Sequence, residues 1–221
     1  MNWLAVSLFG GLVGIDATSV AQTMISRPIA AATLTGVMLG RPVEALFLGS
    51  MLELFALVIL PVGAARYPEA GTAAVAAVAA YCSATAVLSP AVALLAVLFA
   101  LLWEHVGGAS VVLVRRFNES YVSIVGEAAP DRVLERRHRM AMLIDFVRAV
   151  LITLTGVLFG SLALRGLAQL WSLDAFVAPA ILSIGICCMV GAALPLFGGL
   201  RAQKLAFGIG LTVGLLFVLL R

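Results

Sequence analysis

The sequence predicts an all-α integral membrane protein that is polytopic, with several segments crossing the bilayer. Its 221 residues are 63% apolar and only 11% charged, whereas a soluble globular domain carries about 25% charged residues. The mean hydropathy is +1.14. Because this deficit of charge extends over almost the whole length, residues 1–221 are predicted to form a single membrane domain surrounded by the lipid bilayer.

The first apolar segments are short and interrupted. Residues 3–15 contain several glycines, and residues 28–40 are bounded by arginines. Residues 45–60 are interrupted by Glu53 and stopped by Pro61. A helix needs roughly 20 residues to cross a hydrocarbon core of about 30 Å. The N-terminal third is therefore predicted to contain re-entrant or discontinuous helices, with residues 1–70 as the region of the substrate site.

The middle of the chain is more regular. Residues 71–88 and 91–114 are predicted to be helices, and Ser89-Pro90 predicts a turn in which Ser89 caps the next helix and Pro90 is its first residue. Residues 115–139 form the one clearly aqueous segment, a basic loop that the positive-inside rule places in the cytoplasm.

Three transmembrane segments are predicted over residues 140–221, at about 142–164, 176–196 and 205–220. Arg148 lies near the start of the first of these segments, and we expect its side chain to snorkel to the cytoplasmic interface. Pairs of glycines with G-x-x-x-G spacing, such as Gly10 and Gly14, predict close packing between helices.

The charge and the cysteines exclude several classes of protein. The net charge is +3 and the arginines concentrate in residues 115–139, so no nucleic-acid partner is expected. The three cysteines lie in apolar segments, two of them adjacent, which argues against a disulfide framework. No basic segment precedes the first apolar stretch, so a cleaved signal peptide is not expected.

The sequence contains no constellation of catalytic residues. There is no Walker loop, no zinc-ligand spacing and no G-x-S-x-G motif. His105 lies in an apolar run and His138 in the basic segment, and neither has an evident catalytic neighbour. No catalytic, cofactor-binding or metal-binding residue is therefore assigned, no cofactor is predicted, and catalysis by this chain alone is not expected.

Polar residues between Gln22 and Pro68 point to a transport site. An ionisable residue inside an apolar run costs roughly 2.5–3.5 kcal/mol on insertion scales and marks a functional site by default. Carboxylates and amides bind the paired hydroxyls of sugars, and broken helices commonly line such sites. Glu53 and Gln22 are the candidate residues. The alternative is a structural Glu53 that pairs with an arginine from elsewhere or with the protein's own backbone.

This passage resembles the membrane subunit IIC of the mannose-family (mannose/fructose/sorbose/N-acetylgalactosamine-type) sugar phosphotransferase systems. In detail the resemblance covers about a quarter of the chain. Pro61 departs from the family pattern, where several members have Asn, and Arg41 stands where many have Asp. The matching motifs, in order, are Ser26-Arg27-Pro28, Leu34–Gly40, Gly49–Glu53, Pro61–Ala65 and Pro68-Glu69.

The resemblance implies a function and a set of partners. A IIC subunit of this family forms an oligomer with a homologous IID membrane subunit in the bacterial inner (plasma) membrane. Together they import a hexose-like sugar, while the cytoplasmic phosphocarrier proteins IIA and IIB pass on the phosphoryl group of phosphoenolpyruvate. The IIC subunit carries no phosphoryl-accepting residue. By matched position Glu53 contacts the sugar, and Gln22 contributes from the preceding loop.

Two other functions stay open on the sequence alone. The chain can be a non-transporting scaffold or regulatory protein of the same fold, which the replacement of the family's Asn by Pro61 favours. It can also be a phosphorylation-independent channel or secondary transporter for a polar solute. Uptake of radiolabelled sugar, with and without the phosphorylating proteins, separates these three functions.

Overall fold

A computed structural model of the chain describes residues 2–20, 22–57, 68–86, 89–123, 130–170 and 176–219. All regular structure in these ranges is helical, which confirms the predicted all-α class. A short 3₁₀ turn, Leu194–Phe197, joins α7 to α8. The α-helices are α1 (Trp3–Thr18), α2 (Pro28–Met38), α3 (Pro42–Ala56), α4 (Ala70–Ala84), α5 (Pro90–Ser123), α6 (Asp131–Leu170), α7 (Val177–Ala193), α8 (Gly199–Ala202) and α9 (Lys204–Leu219).

Proline sets the start of three helices. Pro28, Pro42 and Pro90 are the first residues of α2, α3 and α5, a position where the missing N–H would have no helical acceptor and the fixed φ suits a helix. The predicted cap is also present, because the Ser89 hydroxyl oxygen accepts a hydrogen bond from the backbone N–H of Val92 at 3.4 Å.

Two helices are long and apolar enough to cross a membrane by length and composition, Pro90–Tyr121 in α5 and Asp131–Leu170 in α6. Four other apolar helices are shorter: Trp3–Thr18, Pro28–Met38, Ala70–Ala84 and Lys204–Leu216. Apolar helices thus occur along most of the chain, but length alone identifies only α5 and α6 as spans within the described ranges.

The basic segment 115–139, expected to be a loop whose end from Leu134 begins a helix, is largely helical where the structure describes it. Helix α5 continues to Ser123 and α6 begins at Asp131, while residues 124–129 lie outside the described ranges. The two helical arms contact each other, because the Arg137 guanidinium lies 4.7 Å from the centroid of the Tyr121 ring and donates to the Tyr121 carbonyl. Packing between long side chains extends both helices beyond their apolar parts.

Helix α4 forms the centre of the bundle, with every residue from Ala73 to Tyr81 fully buried. Its alanines let α1, α2, α5 and α6 approach closely. The predicted role of the glycine pairs is confirmed at two places, since Gly10 and Gly14 in α1 and Gly156 and Gly160 in α6 all lie against a neighbouring helix.

Helix α9 differs from the rest. Among the described residues it contacts only α8, and Lys204–Leu216 are exposed. A methyl group added at Gly208, Gly210 or Gly214 would meet no heavy atom within 4 Å. The glycines of α9 therefore pack against nothing within the described part of this chain.

Arg41, which departs from the family pattern, has a structural role in the connection between α2 and α3. Its guanidinium donates to one carboxylate oxygen of Glu44 at 3.0 and 3.1 Å and to the carbonyl of Thr85. It also lies 5.1 Å from the centroid of the Tyr81 ring. These contacts attach the α2–α3 turn to the C-terminal end of α4.

Candidate functional site

Four helix ends meet around a small cavity. Ala17 near the end of α1, Pro28 at the start of α2, Ala56 at the end of α3 and Ala70 at the start of α4 all line it. The cavity volume is about 150 Å³. Helix N-termini present unpaired backbone N–H groups, so the starts of α2 and α4 bring polar groups to the cavity. The remaining lining residues are Val13, Ser26, Arg27, Pro68, Glu69, Gly71 and Thr72.

Asp16 organises the segment that leads from α1 to α2. One of its carboxylate oxygens accepts hydrogen bonds from the Thr23 backbone N–H at 2.6 Å and from the Thr23 hydroxyl at 2.8 Å. The other accepts from the Ser26 N–H at 3.1 Å. The Ser26 carbonyl in turn lies so close to Gly71 that a Cβ there would overlap it. Asp16 thereby holds residues 23–26 against the start of α4.

Glu53 lies in α3 one turn before Ala56, which lines the cavity. Its Oε1 atom accepts both Nε, at 2.7 Å, and a terminal nitrogen of Arg27, and its Oε2 atom accepts the backbone N–H of Ile29 at 3.2 Å. The carboxylate thus neutralises Arg27 and satisfies one of the free N–H groups at the start of α2. The side chain of Glu53 is 17% exposed and that of Arg27 is 37% exposed.

A second group of charges is fully enclosed beside the cavity. The Arg148 guanidinium binds both carboxylate oxygens of Glu69, at 2.8 and 2.9 Å, and its Nε donates to Asp145 at 2.7 Å. Ser110 accepts a further hydrogen bond at 2.9 Å. Arg148, Glu69 and Asp145 are all buried. A bidentate, charge-assisted arrangement of this kind is among the stronger polar contacts in proteins.

The surroundings of this group join four helices. Thr18 and Ser19 at the end of α1 donate their hydroxyls to the second oxygen of Asp145. The Glu69 carboxylate fits between two glycines, because an added Cβ would lie 3.2 Å from it at Gly14 and 2.8 Å from it at Gly107. The charges therefore connect α1, α4, α5 and α6.

The structure separates the two residues predicted from the sequence. Glu53 is not among the residues that line the cavity, but its partner Arg27 is. The arginine and backbone partners named in the structural alternative are both present. Gln22 is exposed, with a backbone φ of 51°, and is not among the residues that line the cavity. Pro61, Gly63 and Ala65 lie outside the described residues. Contact of Glu53 and Gln22 with sugar stays a prediction.

Sequence reasoning missed the enclosed charges and placed Arg148 wrongly. Arg148 does not reach an interface: its side chain is buried and paired. A signal was present, since Asp145 and Arg148 are three residues apart and so share a helix face, and a buried charge requires a partner. No spacing in the sequence indicated that Glu69, 79 residues from Arg148, would be its partner. Among the described residues, no group of three or more His, Cys, Asp or Glu side chains could hold a metal ion.

Comparison with solved structures finds a similar fold. A solved structure described as "Structure of membrane protein" is similar to this chain with a TM-score of 0.63 at 17% sequence identity, covering 99% of this chain and 96% of that chain. At this identity the similarity shows the fold alone. A search of curated proteins finds no match.

The family assignment rests on most of the sequence. Residues 1–196 match the family model described as "PTS system sorbose-specific iic component" (EII-Sor), which includes the cavity, the Arg27–Glu53 pair and the enclosed charges. The chain belongs to this family of mannose-type IIC membrane subunits, which translocate sugar in phosphoenolpyruvate-dependent phosphotransferase systems.

Proposed function

We propose that this chain imports a hexose-like sugar, which binds in the cavity between the ends of α1, α2, α3 and α4. The meeting of four helix ends at one cavity, with Arg27 and Glu69 in its lining, is the observation that carries the proposal. Transporters commonly bind substrate at such discontinuous helices, because backbone that is not helical is tolerated where it lines a cavity. One water molecule needs roughly 10–15 Å³, so a cavity of about 150 Å³ has room comparable with the heavy atoms of a hexose.

Glu53 can accept a sugar hydroxyl without leaving its present partners. An ionised carboxylate has about four acceptor positions, and Glu53 uses three of them, two on Oε1 and one on Oε2. The remaining position belongs to Oε2. Gln22 would have to approach from the segment between α1 and α2, where its amide is exposed. Glu53 is therefore the main sugar contact in this proposal and Gln22 the second.

The lengths of α2 and α3 support re-entrant or discontinuous helices in residues 1–70. With 11 and 15 residues and a rise of about 1.5 Å per residue, they extend roughly 16 and 22 Å. Both fall short of a hydrocarbon core of about 30 Å. Gly40, with a φ of 72°, closes the turn between them, and their other ends both lie at the cavity.

The family supplies the partners of the proposed complex. We assign a IID membrane subunit as the second part of an oligomeric sugar path, and the phosphocarriers IIA and IIB as the cytoplasmic source of the phosphoryl group. The chain would be a multi-pass protein of the bacterial inner membrane. The arginine-rich arms of α5 and α6 would lie on the cytoplasmic side, where they can contact the phosphorylating partner.

The test is sugar uptake in vesicles that contain this chain and IID, supplied with IIA, IIB and phosphoenolpyruvate. Glu53→Gln is expected to lower accumulation of sugar phosphate about 10- to 100-fold, because a hydrogen bond to a charged group contributes about 1.5–3 kcal/mol. Glu44→Gln is the matched control, since Glu44 lies in the same helix and pairs with Arg41 instead; uptake should stay near its normal value.

Arg27→Gln distinguishes a sugar contact from a purely structural Glu53. This change removes the ion pair but keeps the carboxylate and its hydrogen bond from the Ile29 N–H, so uptake should exceed that of Glu53→Gln at least several-fold. Equal loss in both variants would contradict the sugar contact. Uptake of free sugar without IIA and IIB would indicate a channel or secondary transporter, and no uptake by an intact complex would indicate a scaffold.

A further inference from the structure

Glu104 is a buried acid that the proposed sugar site does not use. It lies in the apolar part of α5, on the face that also carries Ala100 and Gly107, and all three residues are buried. Glu104 follows Pro90 by 14 residues and precedes Arg115 by 11, or roughly 21 Å and 16 Å along the helix axis. In a hydrocarbon core of about 30 Å, these distances place its side chain at membrane depth.

The carboxyl group of Glu104 accepts no hydrogen bond from any described residue, although its side chain is only 8% exposed. The backbone carbonyl accepts the Glu69 N–H at 2.9 Å, but that bond does not involve the carboxyl group. Oε1 lies 4.0 Å from Nδ1 of His105, which is beyond hydrogen-bond distance. That nitrogen lies 2.7 Å from the Leu101 carbonyl. Because a carbonyl only accepts, His105 donates its Nδ1 proton to the helix backbone.

The cations on the helices that contact α5 do not neutralise Glu104. Those helices are α3, α4, α6 and α7, and α3, α4 and α7 contain no Lys or Arg. In the apolar part of α6, Arg148 is bound by two acids and Arg165 is exposed. The other acids of these helices have partners: Glu44 pairs with Arg41, Glu53 with Arg27, and Glu69 and Asp145 with Arg148.

An ionised carboxylate without a nearby cation is unfavourable at this place. Removing a charged group from water costs a large amount of free energy, and a buried acid with no partner avoids that cost by keeping its proton. Glu69 shows the other solution, since both of its oxygens bind the guanidinium of Arg148. Two kinds of buried acid are therefore present in the described part of the chain, those that share a cation and Glu104.

A groove along α5 gives this acid access from the membrane. His105, Gly108 and Ala109 line the groove, which has a volume of about 490 Å³. Glu104 lies four residues before Gly108, and residues four apart are neighbours on one helix face. Glycine has no side chain to separate the groove from the Glu104 carboxyl group. An apolar molecule dissolved in the lipid therefore has a route to that group.

We propose that Glu104 is a neutral carboxylic acid in the folded protein and the site at which a lipid-soluble carbodiimide modifies this chain. Carbodiimides react with carboxyl groups that carry a proton, and those that dissolve in lipid reach groups at membrane depth. Carboxylates held in ion pairs lack that proton. The reagent thereby selects Glu104 over Glu69 and Asp145, although all three residues are buried.

The modification is an addition from which nothing leaves. The carboxyl proton moves to one nitrogen of the carbodiimide while the carboxyl oxygen bonds to its central carbon, so one C=N double bond becomes a single bond. The resulting O-acylisourea then transfers its acyl group to the imine nitrogen and becomes a stable N-acylurea. Glu104 gains the mass of one complete reagent molecule, and no oxidant or reductant takes part.

The experiment treats membrane vesicles that contain the full chain with dicyclohexylcarbodiimide, followed by digestion and mass spectrometry. We expect the adduct on Glu104, with an occupancy at least tenfold above that of Glu69 or Asp145, and no adduct at this position in Glu104→Gln. Glu135, whose side chain is 62% exposed, is the control for solvent access, because a water-soluble carbodiimide with an added amine should modify it in preference to Glu104. No adduct on Glu104, or similar occupancy on the ion-paired acids, would overturn the proposal.

Infrared spectra test the proton directly and need no reagent. A neutral carboxylic acid has a C=O stretching band that an ionised carboxylate lacks. Glu104→Gln introduces a neutral group of nearly the same size, so the variant should fold normally, and its spectrum should lack one acid C=O band. Loss of a carboxylate band instead would show that Glu104 is ionised and would refute the proposal. Neither measurement depends on sugar transport, so both results are independent of the function proposed above.

Discussion

Removal of Arg148 is the sharpest test of the enclosed charges. The side chains of Arg148, Glu69 and Asp145 are 6%, 2% and 8% exposed, so solvent cannot replace a missing partner. Arg148→Met leaves two buried carboxylates that share no cation, and Glu69 loses the donors to both of its oxygens. Breaking a buried pair by removing one partner costs about 3–5 kcal/mol. We expect the free energy of unfolding to fall by that amount.

A double-mutant cycle separates the interaction from other effects of the substitution. Glu69→Gln alone leaves Arg148 paired with Asp145, so its cost should be smaller than that of Arg148→Met. The double variant, Arg148→Met with Glu69→Gln, should be more stable than the sum of the single changes predicts, by about 1–3 kcal/mol. If the destabilisation of the double variant equals the sum of the two single effects, the two side chains do not interact.

The assay is unfolding in mixed micelles of mild detergent and dodecyl sulfate, followed by the loss of helical circular dichroism. Arg165→Met is the control, because Arg165 lies in the same helix but is exposed and, among the described residues, donates to the carbonyl of Ser83 at 3.0 Å. That change should cost no more than about 1.5 kcal/mol. If Arg148→Met costs as little as Arg165→Met, the argument from burial and pairing is wrong.

The helix contacts and the Asp16 anchor give two further predictions. Gly156→Ala places a methyl group 2.8 Å from Cε2 of Trp103 and should lower the free energy of unfolding by about 1–3 kcal/mol in the same assay. Gly210→Ala is the control, because the space around Gly210 is open, and its effect should be neutral or slightly stabilising. Equal effects of the two changes would contradict close packing of Gly156 against Trp103. Asp16→Ala removes the acceptor for the Thr23 and Ser26 N–H groups, so hydrogen exchange of residues 22–27 should accelerate at least tenfold, whereas unchanged exchange would show that another contact holds this segment.

Local signals in the sequence were enough for the helical framework. Pro28, Pro42 and Pro90 mark helix starts because proline fits only the first turn, and the small residues of α4 and α6 indicate close contacts because no side chain keeps the backbones apart. The end of α5 and the start of α6 were harder to predict from the sequence. Residues 115–139 are charged, and polarity by itself cannot distinguish a loop from two helical arms that contact through Arg137 and Tyr121.

By itself, the sequence determined that this is an α-helical membrane protein of a sugar-transporting family, because composition, proline positions and ordered motifs are properties of the chain. Only the tertiary structure decided which charges meet. Glu53 pairs with Arg27, 26 residues away, and Glu69 pairs with Arg148, 79 residues away. An ion pair depends on distances of a few ångströms between side chains. These distances are set by how α2 packs on α3, and by how α1, α4, α5 and α6 pack together, and not by the spacing of residues along the chain.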